Sequence, residues 1–353
     1  MRAAFERGRR QGDLNGWMTA HRRRAIASYA RRDRMNRRRL LQTAVLAVGL
    51  VGIGFVVHGT VDDARHQVMP GPTALGAAAV LTLVAVLAGG RAWAALFGDV
   101  LDDPAARQRM AGTFYTSQLT KYLPAGGAAQ AFSQVSLATA TGMPLGRVAL
   151  AFPVLAIAVV VAGITLGSGL ALARELPAWA RALALLGLAA PALLHRPLLA
   201  GMLTMLRRIV HRIPSPDRLP GQRSIWNCYA WALVNLAAYS AAYAVLLRSL
   251  TGVDPVLTFC AFAVSWVAGF VVLPLPAGVG VREAAIVAIV PGLGAGVLLA
   301  ASLAHRLLSI ATELLAVVGS ALVSRRLARR NRRMSGMLEH SAANSFEVRH
   351  HGS

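Results

Sequence analysis

Six ionisable residues stand where an apolar chain has little use for charge. Lys121, the only lysine among 353 residues, lies just before Leu123-Pro124-Ala125-Gly126-Gly127-Ala128, and Arg282 and Glu283 directly follow Leu275-Pro276-Ala277-Gly278-Val279-Gly280. His305, Arg306 and Glu313 share the apolar run 297–323 with Ser302 and Ser309, and the offsets 0, 3, 4, 7 and 11 place all five on one face of a helix. A charge carried to the centre of an apolar layer costs about 2.5 to 3.5 kcal/mol, so these groups must face protein or water. Two chemistries suit them. They line a hydrophilic site in which Lys121 and Arg282 attract phosphate while His305, Arg306, Glu283 and Glu313 shape or gate it. Alternatively they form structural ion pairs, Arg306 with Glu313 or Arg282 with Glu283, that lock helices together. Trp231, Asn235, Tyr239 and Tyr243, spaced by four, make a second stripe that suits core packing or the lining of a site.

The elements that position these groups are unusual. The tetrapeptide Leu-Pro-Ala-Gly recurs after 152 residues, at 123–126 and 275–278, in the middle of the stretches 110–140 and 256–291. Proline and glycine inside an apolar helix leave backbone groups without intrahelical partners, and lipid cannot satisfy them. Pro124, Gly126, Gly127, Pro276, Gly278 and Gly280 are therefore expected to break two helical hairpins where protein or a wet cavity covers the backbone. Two ordinary Pro-kinked helices are the simpler alternative.

The rest of the chain reads as membrane. Hydrophobic residues make up 56% of it and charged residues 15%, and the apolar runs reach the roughly 20 residues a helix needs to cross about 30 Å of hydrocarbon. Six spans are expected at 40–57, 73–97, 144–172, 179–194, 225–247 and 297–323, so that with the two broken hairpins the fold class is all-α, a polytopic integral membrane protein with six to eight membrane segments. A net charge of +22 sits almost wholly outside the spans: thirteen arginines in 1–39, six in 195–223 and seven in 324–353. By the positive-inside rule these segments are cytoplasmic, the protein lies in the cytoplasmic (inner or plasma) membrane with both termini inside, and 58–73, 173–177 and 249–255 face outward. The expected domains are an Arg-rich arm (1–39), a transmembrane domain (40–323) in two halves (40–195 and 224–323) joined by a basic loop (196–223) with an amphipathic helix near 202–210, and a basic, disordered tail (324–353). The hairpins then enter from opposite sides. Paired Gly/Pro-interrupted segments in halves of opposite orientation are a pointer to transporters built as inverted repeats.

Several functions are disfavoured. The arginines flank spans without aromatic interleaving, so nucleic acid is not the expected partner; anionic lipid headgroups attract them instead. Cys228 and Cys260 have no metal-ligand or disulfide spacing and suit packing. No nucleotide-binding motif appears, and no cofactor or metal is expected. Asp62-Asp63 in an outer loop would suit a membrane glycosyltransferase, and Asp102-Asp103 lacks the further aspartates that a phosphatidyltransferase metal site needs.

Arg91 with Trp93, the stretch Gln118–Gln130 around Lys121-Tyr122-Leu123-Pro124, Gly142, the motif Pro276-Ala277-Gly278-Val279-Gly280-Val281-Arg282-Glu283, and Arg306 resemble the lysylphosphatidylglycerol synthase transmembrane region over about residues 40–325. The resemblance implies a flippase-like domain that moves a phospholipid or a polyprenyl-linked lipid between leaflets. Where many members carry an arginine shortly after the first glycine motif, this chain has Gln130. Some 30 residues follow the last span, so no aminoacyl-transfer domain is expected, the protein is not expected to be an enzyme, and its lipid would be made by a separate lipid-modifying enzyme or glycosyltransferase. The alternative role is a membrane glycosyltransferase or an accessory scaffold of a lipid or cell-envelope glycan synthesis complex.

Overall fold

The computed structural model describes residue 40 and residues 69–123, 126–173, 175–209, 218–271, 281–290 and 292–350, the stretch beyond 327 by its backbone. Among the described residues every regular element is a helix. In chain order they are α1 (Pro72–Ala95), α2 (Pro104–Gln118) running into a 3-10 turn (Leu119–Tyr122), α3 (Gly126–Thr139), α4 (Leu145–Gly167), α5 (Ala178–Leu186) continued by a 3-10 segment (Gly187–Leu194), α6 (Arg196–Ile209), α7 (Gln222–Thr251), α8 (Pro255–Val271), α9 (Val281–Ile289) and α10 (Ala295–His350). The expected span 40–57, apart from Leu40, and Pro124, Pro276, Gly278 and Gly280 lie outside the described residues.

Among the described residues, four helices are long and apolar enough to cross a bilayer: α1, α4, α7 and residues Gly296–Leu327 of α10. Val80, Val84 and Leu87 on α1 and Leu315, Val318 and Leu322 on α10 are exposed, as side chains solvated by lipid tails should be. The expected span 179–194 is helical but of two geometries. Gly187 and Pro191 turn its second half into 3-10 geometry, and the chain then bends by 91° into α6, which begins at Arg196, earlier than the amphipathic pattern near 202 suggests. The backbone of α10 runs on as a helix to His350; Arg, Leu, Ala and Met dominate residues 324–334 and no proline interrupts them.

Small residues let the central pair approach. Ala78, Thr82, Ala85, Gly89 and Ala92 form a buried stripe on α1 against α7. A Cβ on Gly89 would stand 2.8 Å from the Phe114 ring and 3.2 Å from Asn235 Nδ2. Asn235 donates from Nδ2 to the Ala85 carbonyl at 2.7 Å, and Trp93 Nε1 donates to Thr113 Oγ1 at 3.1 Å, tying α1 to α7 and to α2. The main core gathers around Trp93, Phe97, Met110, Leu150, Ile225 and Cys228. Cys228 and Cys260 are both buried and free, as packing residues.

Both interrupted stretches consist of two helices. The first passes from α2 and its 3-10 turn to α3, the second from α8 to α9. α9, with nine residues, rises about 14 Å, half the depth of the hydrocarbon layer. The main packing partners follow one rule: exchanging α1 with α7, α2 with α8, α3 with α9 and α4 with α10 turns each substantial contact among these eight helices into another one that is also made. Thus α1 packs on α10 as α7 packs on α4, and α2 packs on α10 as α8 packs on α4.

Candidate functional site

One face of α10 collects the charges. Ser302, His305, Ser309 and Glu313 are buried along it and Arg306 is half-buried, as their spacing requires. At one end Glu313, with no exposed surface, forms an ion pair through Oε1 with Lys121 Nζ and accepts a hydrogen bond at Oε2 from the Tyr122 hydroxyl at 3.1 Å. Lys121 and Tyr122 belong to the 3-10 turn in front of the first break. About two turns back along α10, Arg306 Nη2 meets Glu283 Oε1 at 2.8 Å, and Glu283 lies in the first described turn of α9, beyond the second break. Among the described residues, Arg306 therefore pairs with Glu283 and Glu313 with Lys121, rather than Arg306 with Glu313. Seven residues apart on one helix, Arg306 and Glu313 each find a partner on a different broken stretch. Arg282 and Glu283 are neighbours in sequence, and successive residues on a helix point about 100° apart.

Arg282 has a separate seat. Its guanidinium stands 5.3 Å from the centroid of the Trp266 ring on α8, a cation–π distance. Gly269, one turn on from Trp266, allows this: a Cβ there would lie 2.7 Å from Arg282 Cγ and 2.9 Å from its Nε. Nε of Arg282 is buried and has no hydrogen-bond partner among the described residues. Arg282 also occupies the first described turn of α9.

Between these groups sits His305, ringed by Tyr239, Tyr243 and Phe262 at centroid distances of 5.6, 5.7 and 5.1 Å. Its Nε2 is buried with no partner among the described residues. The Tyr243 hydroxyl pairs with Ser302 Oγ at 3.2 Å, and Ser309 Oγ donates to the His305 carbonyl. The four-residue stripe on α7 divides accordingly. Tyr239 and Tyr243 face His305, Asn235 binds the α1 backbone, and Trp231 is at the surface with Arg91 above its ring. Of the glycines at the first break, Gly126 is buried and starts α3, while Gly127 is exposed.

The α10 face was legible from spacing, but Tyr122, Trp266, Gly269 and Phe262 were not singled out. Trp266 and Gly269 at i, i+3 in an apolar helix carried the only available signal. Asp103 is a helix cap, accepting from the amides of Ala105 and Ala106, and no cluster of three potential metal ligands exists among the described residues.

Such a face, with paired charges, a stacked arginine and interrupted backbone inside a polytopic bundle, suits a charged group held within a membrane. The model of one protein family, described as the lysylphosphatidylglycerol synthase TM region, matches residues 30–342. The chain belongs to this family. The match includes both interrupted stretches and all of the α10 face, so the lysylphosphatidylglycerol synthase TM region is here a multi-pass membrane protein, related to membrane lipids, with its ionisable residues gathered inside the bundle. No curated protein was found to be similar to the chain.

Proposed function

We propose that the protein translocates a phospholipid or polyprenyl-linked lipid between the leaflets of the cytoplasmic membrane, with both termini in the cytoplasm and without enzymatic activity of its own. The supporting observation is that α10 carries on one face the partners of two charges placed at opposite interruptions, Lys121 before the first and Glu283 after the second. A group pinned by ion pairs to both halves of a repeat is placed to open one pair while the other holds. The exchangeable contact pattern of α1–α4 with α7–α10 supports the inverted-repeat architecture that such alternation uses.

In this mechanism the headgroup enters beside the α10 face while the acyl or prenyl chains stay in the bilayer. Arg282, whose buried Nε has no partner among the described residues, holds the phosphate. Lys121 contributes a second positive charge when its pair with Glu313 opens. His305 and its aromatic ring set the width available to the headgroup. The lipid would be delivered by a separate lipid-modifying enzyme or glycosyltransferase.

Purified protein in proteoliposomes, tested with a panel of labelled phospholipids and polyprenyl phosphates, should accelerate leaflet exchange of at least one of them over empty vesicles. No acceleration for any lipid would leave the scaffold role standing in its place.

A further inference from the structure

The corner after the 3-10 segment defines a second lipid-binding surface. Nine α-helical residues of α5 and eight 3-10 residues together rise about 30 Å, the depth of the hydrocarbon layer, and the 3-10 segment packs along the span α4. The chain therefore reaches the membrane surface at Leu194 and there turns by 91° into α6. Gln222, the first residue of α7, fixes the turn from both sides: its Oε1 accepts from Arg196 N at 2.7 Å and its Nε2 donates to the Leu194 carbonyl at 3.2 Å. A helix held at a right angle to a span lies in the plane of the membrane.

α6 has two apolar sides with different fates. Leu199 and Leu203, one turn apart, are fully buried and join the main core through Leu194. Leu198, Met202 and Met205, at i, i+4 and i+7, form a stripe about a third of a turn away that is 52%, 40% and 69% exposed. Exposed arginines hold the rest of the helix surface: Arg208 lies about a quarter-turn from the stripe, Arg196 and Arg207 lie on the polar side nearly opposite it, and Arg223 lies beside the Gln222 clip. Between Glu175 and Asp217 the sequence has no acidic residue.

We propose that α6 is an interfacial helix that binds an anionic lipid surface, its Leu198–Met202–Met205 stripe in the acyl boundary and its arginines on the headgroups. The apolar width, the planar setting and the unopposed positive charge match that partner, in which apolar depth and negative surface come together. Because Leu199 and Leu203 sit in the core beside the spans, the helix cannot leave the surface without opening that core. The surface is separate from the α10 face and does not depend on the transport role.

A fluorophore attached at Met205→Cys, and separately at Leu198→Cys, reports on the stripe in proteoliposomes, since Cys228 and Cys260 are buried. Brominated phosphatidylglycerol should quench both positions at least about two-fold more than brominated phosphatidylcholine at equal mole fraction, while a label at Thr204→Cys, off the stripe, is quenched less. Arg207→Gln with Arg208→Gln should bring the two lipids together without abolishing quenching by the neutral one. Absence of quenching at both stripe positions, as burial under a second copy or another protein would give, overturns the assignment; equal quenching by the two lipids in the unsubstituted background overturns its preference for negative charge.

Discussion

Glu313 is the residue on which the α10 face turns. Its carboxylate has no contact with solvent and depends on Lys121 and Tyr122 for all the compensation the described residues supply. Removing one member of a buried pair strands the other, at a cost of about 3 to 5 kcal/mol, whereas replacing both with apolar groups is close to neutral. Glu313→Gln should therefore lower the melting temperature of detergent-solubilised protein clearly, by an amount consistent with about 3 kcal/mol, and Glu313→Leu combined with Lys121→Met should recover most of it. The Arg306–Glu283 pair is about a quarter exposed on both sides, so solvent screens it. Single changes there should cost about 1 kcal/mol, again with recovery in the double variant. The α10 members of these pairs were legible because a helical period shows itself in one stretch of sequence. The pairing was not, because Lys121 and Glu313 lie 192 residues apart and only packing brings them together.

At the scale of the element, helix interruptions and close contacts decide what the side chains do. Trp266 and Gly269 make the seat of Arg282, and adding a single methyl group at Gly269 pushes Arg282 off its stack. Gly269→Ala should reduce lipid exchange several-fold with little change in melting temperature, as both sets of ion pairs remain. Gly89→Ala acts on the other quantity. Its Cβ would press on the Phe114 ring and Asn235 at the α1–α7 contact, and overpacking of this kind costs about 1 to 3 kcal/mol, seen as a lower melting temperature. Sequence gave α1, α4 and α7 plainly, since uninterrupted apolar length is a local property. It placed the apolar segment 179–194 but not its 3-10 half: Pro191 and Gly187 left hydropathy unchanged and altered only the rise per residue and the direction of exit. The interrupted stretches were legible because Pro and Gly violate the local rule that every backbone group in lipid be satisfied within the helix.

For the whole molecule, the repeat of Leu-Pro-Ala-Gly and the exchangeable packing of α1–α4 and α7–α10 point to one four-helix unit used twice. The orientation proposed from the arginine distribution predicts that single cysteines at Ser28 and Ser335 are protected from an impermeant reagent added outside the cell, while cysteines at Asp62 and Thr251 are labelled; labelling of position 28 from outside would reverse the topology. The central claim is that the charged face shared by the two halves moves a lipid headgroup, and Arg282 tests it most directly because it is the cation seated on an aromatic ring rather than in either ion pair described on that face. Leaflet exchange of the accepted lipid should be measured for wild-type and Arg282→Gln protein in the same proteoliposomes, with the melting temperature of each recorded in detergent. An amide cannot supply the paired charge-assisted hydrogen bonds that a guanidinium gives to phosphate, so exchange should fall at least tenfold while the melting temperature stays within a few degrees. Exchange equal to wild type in a stably folded Arg282→Gln protein would contradict the account.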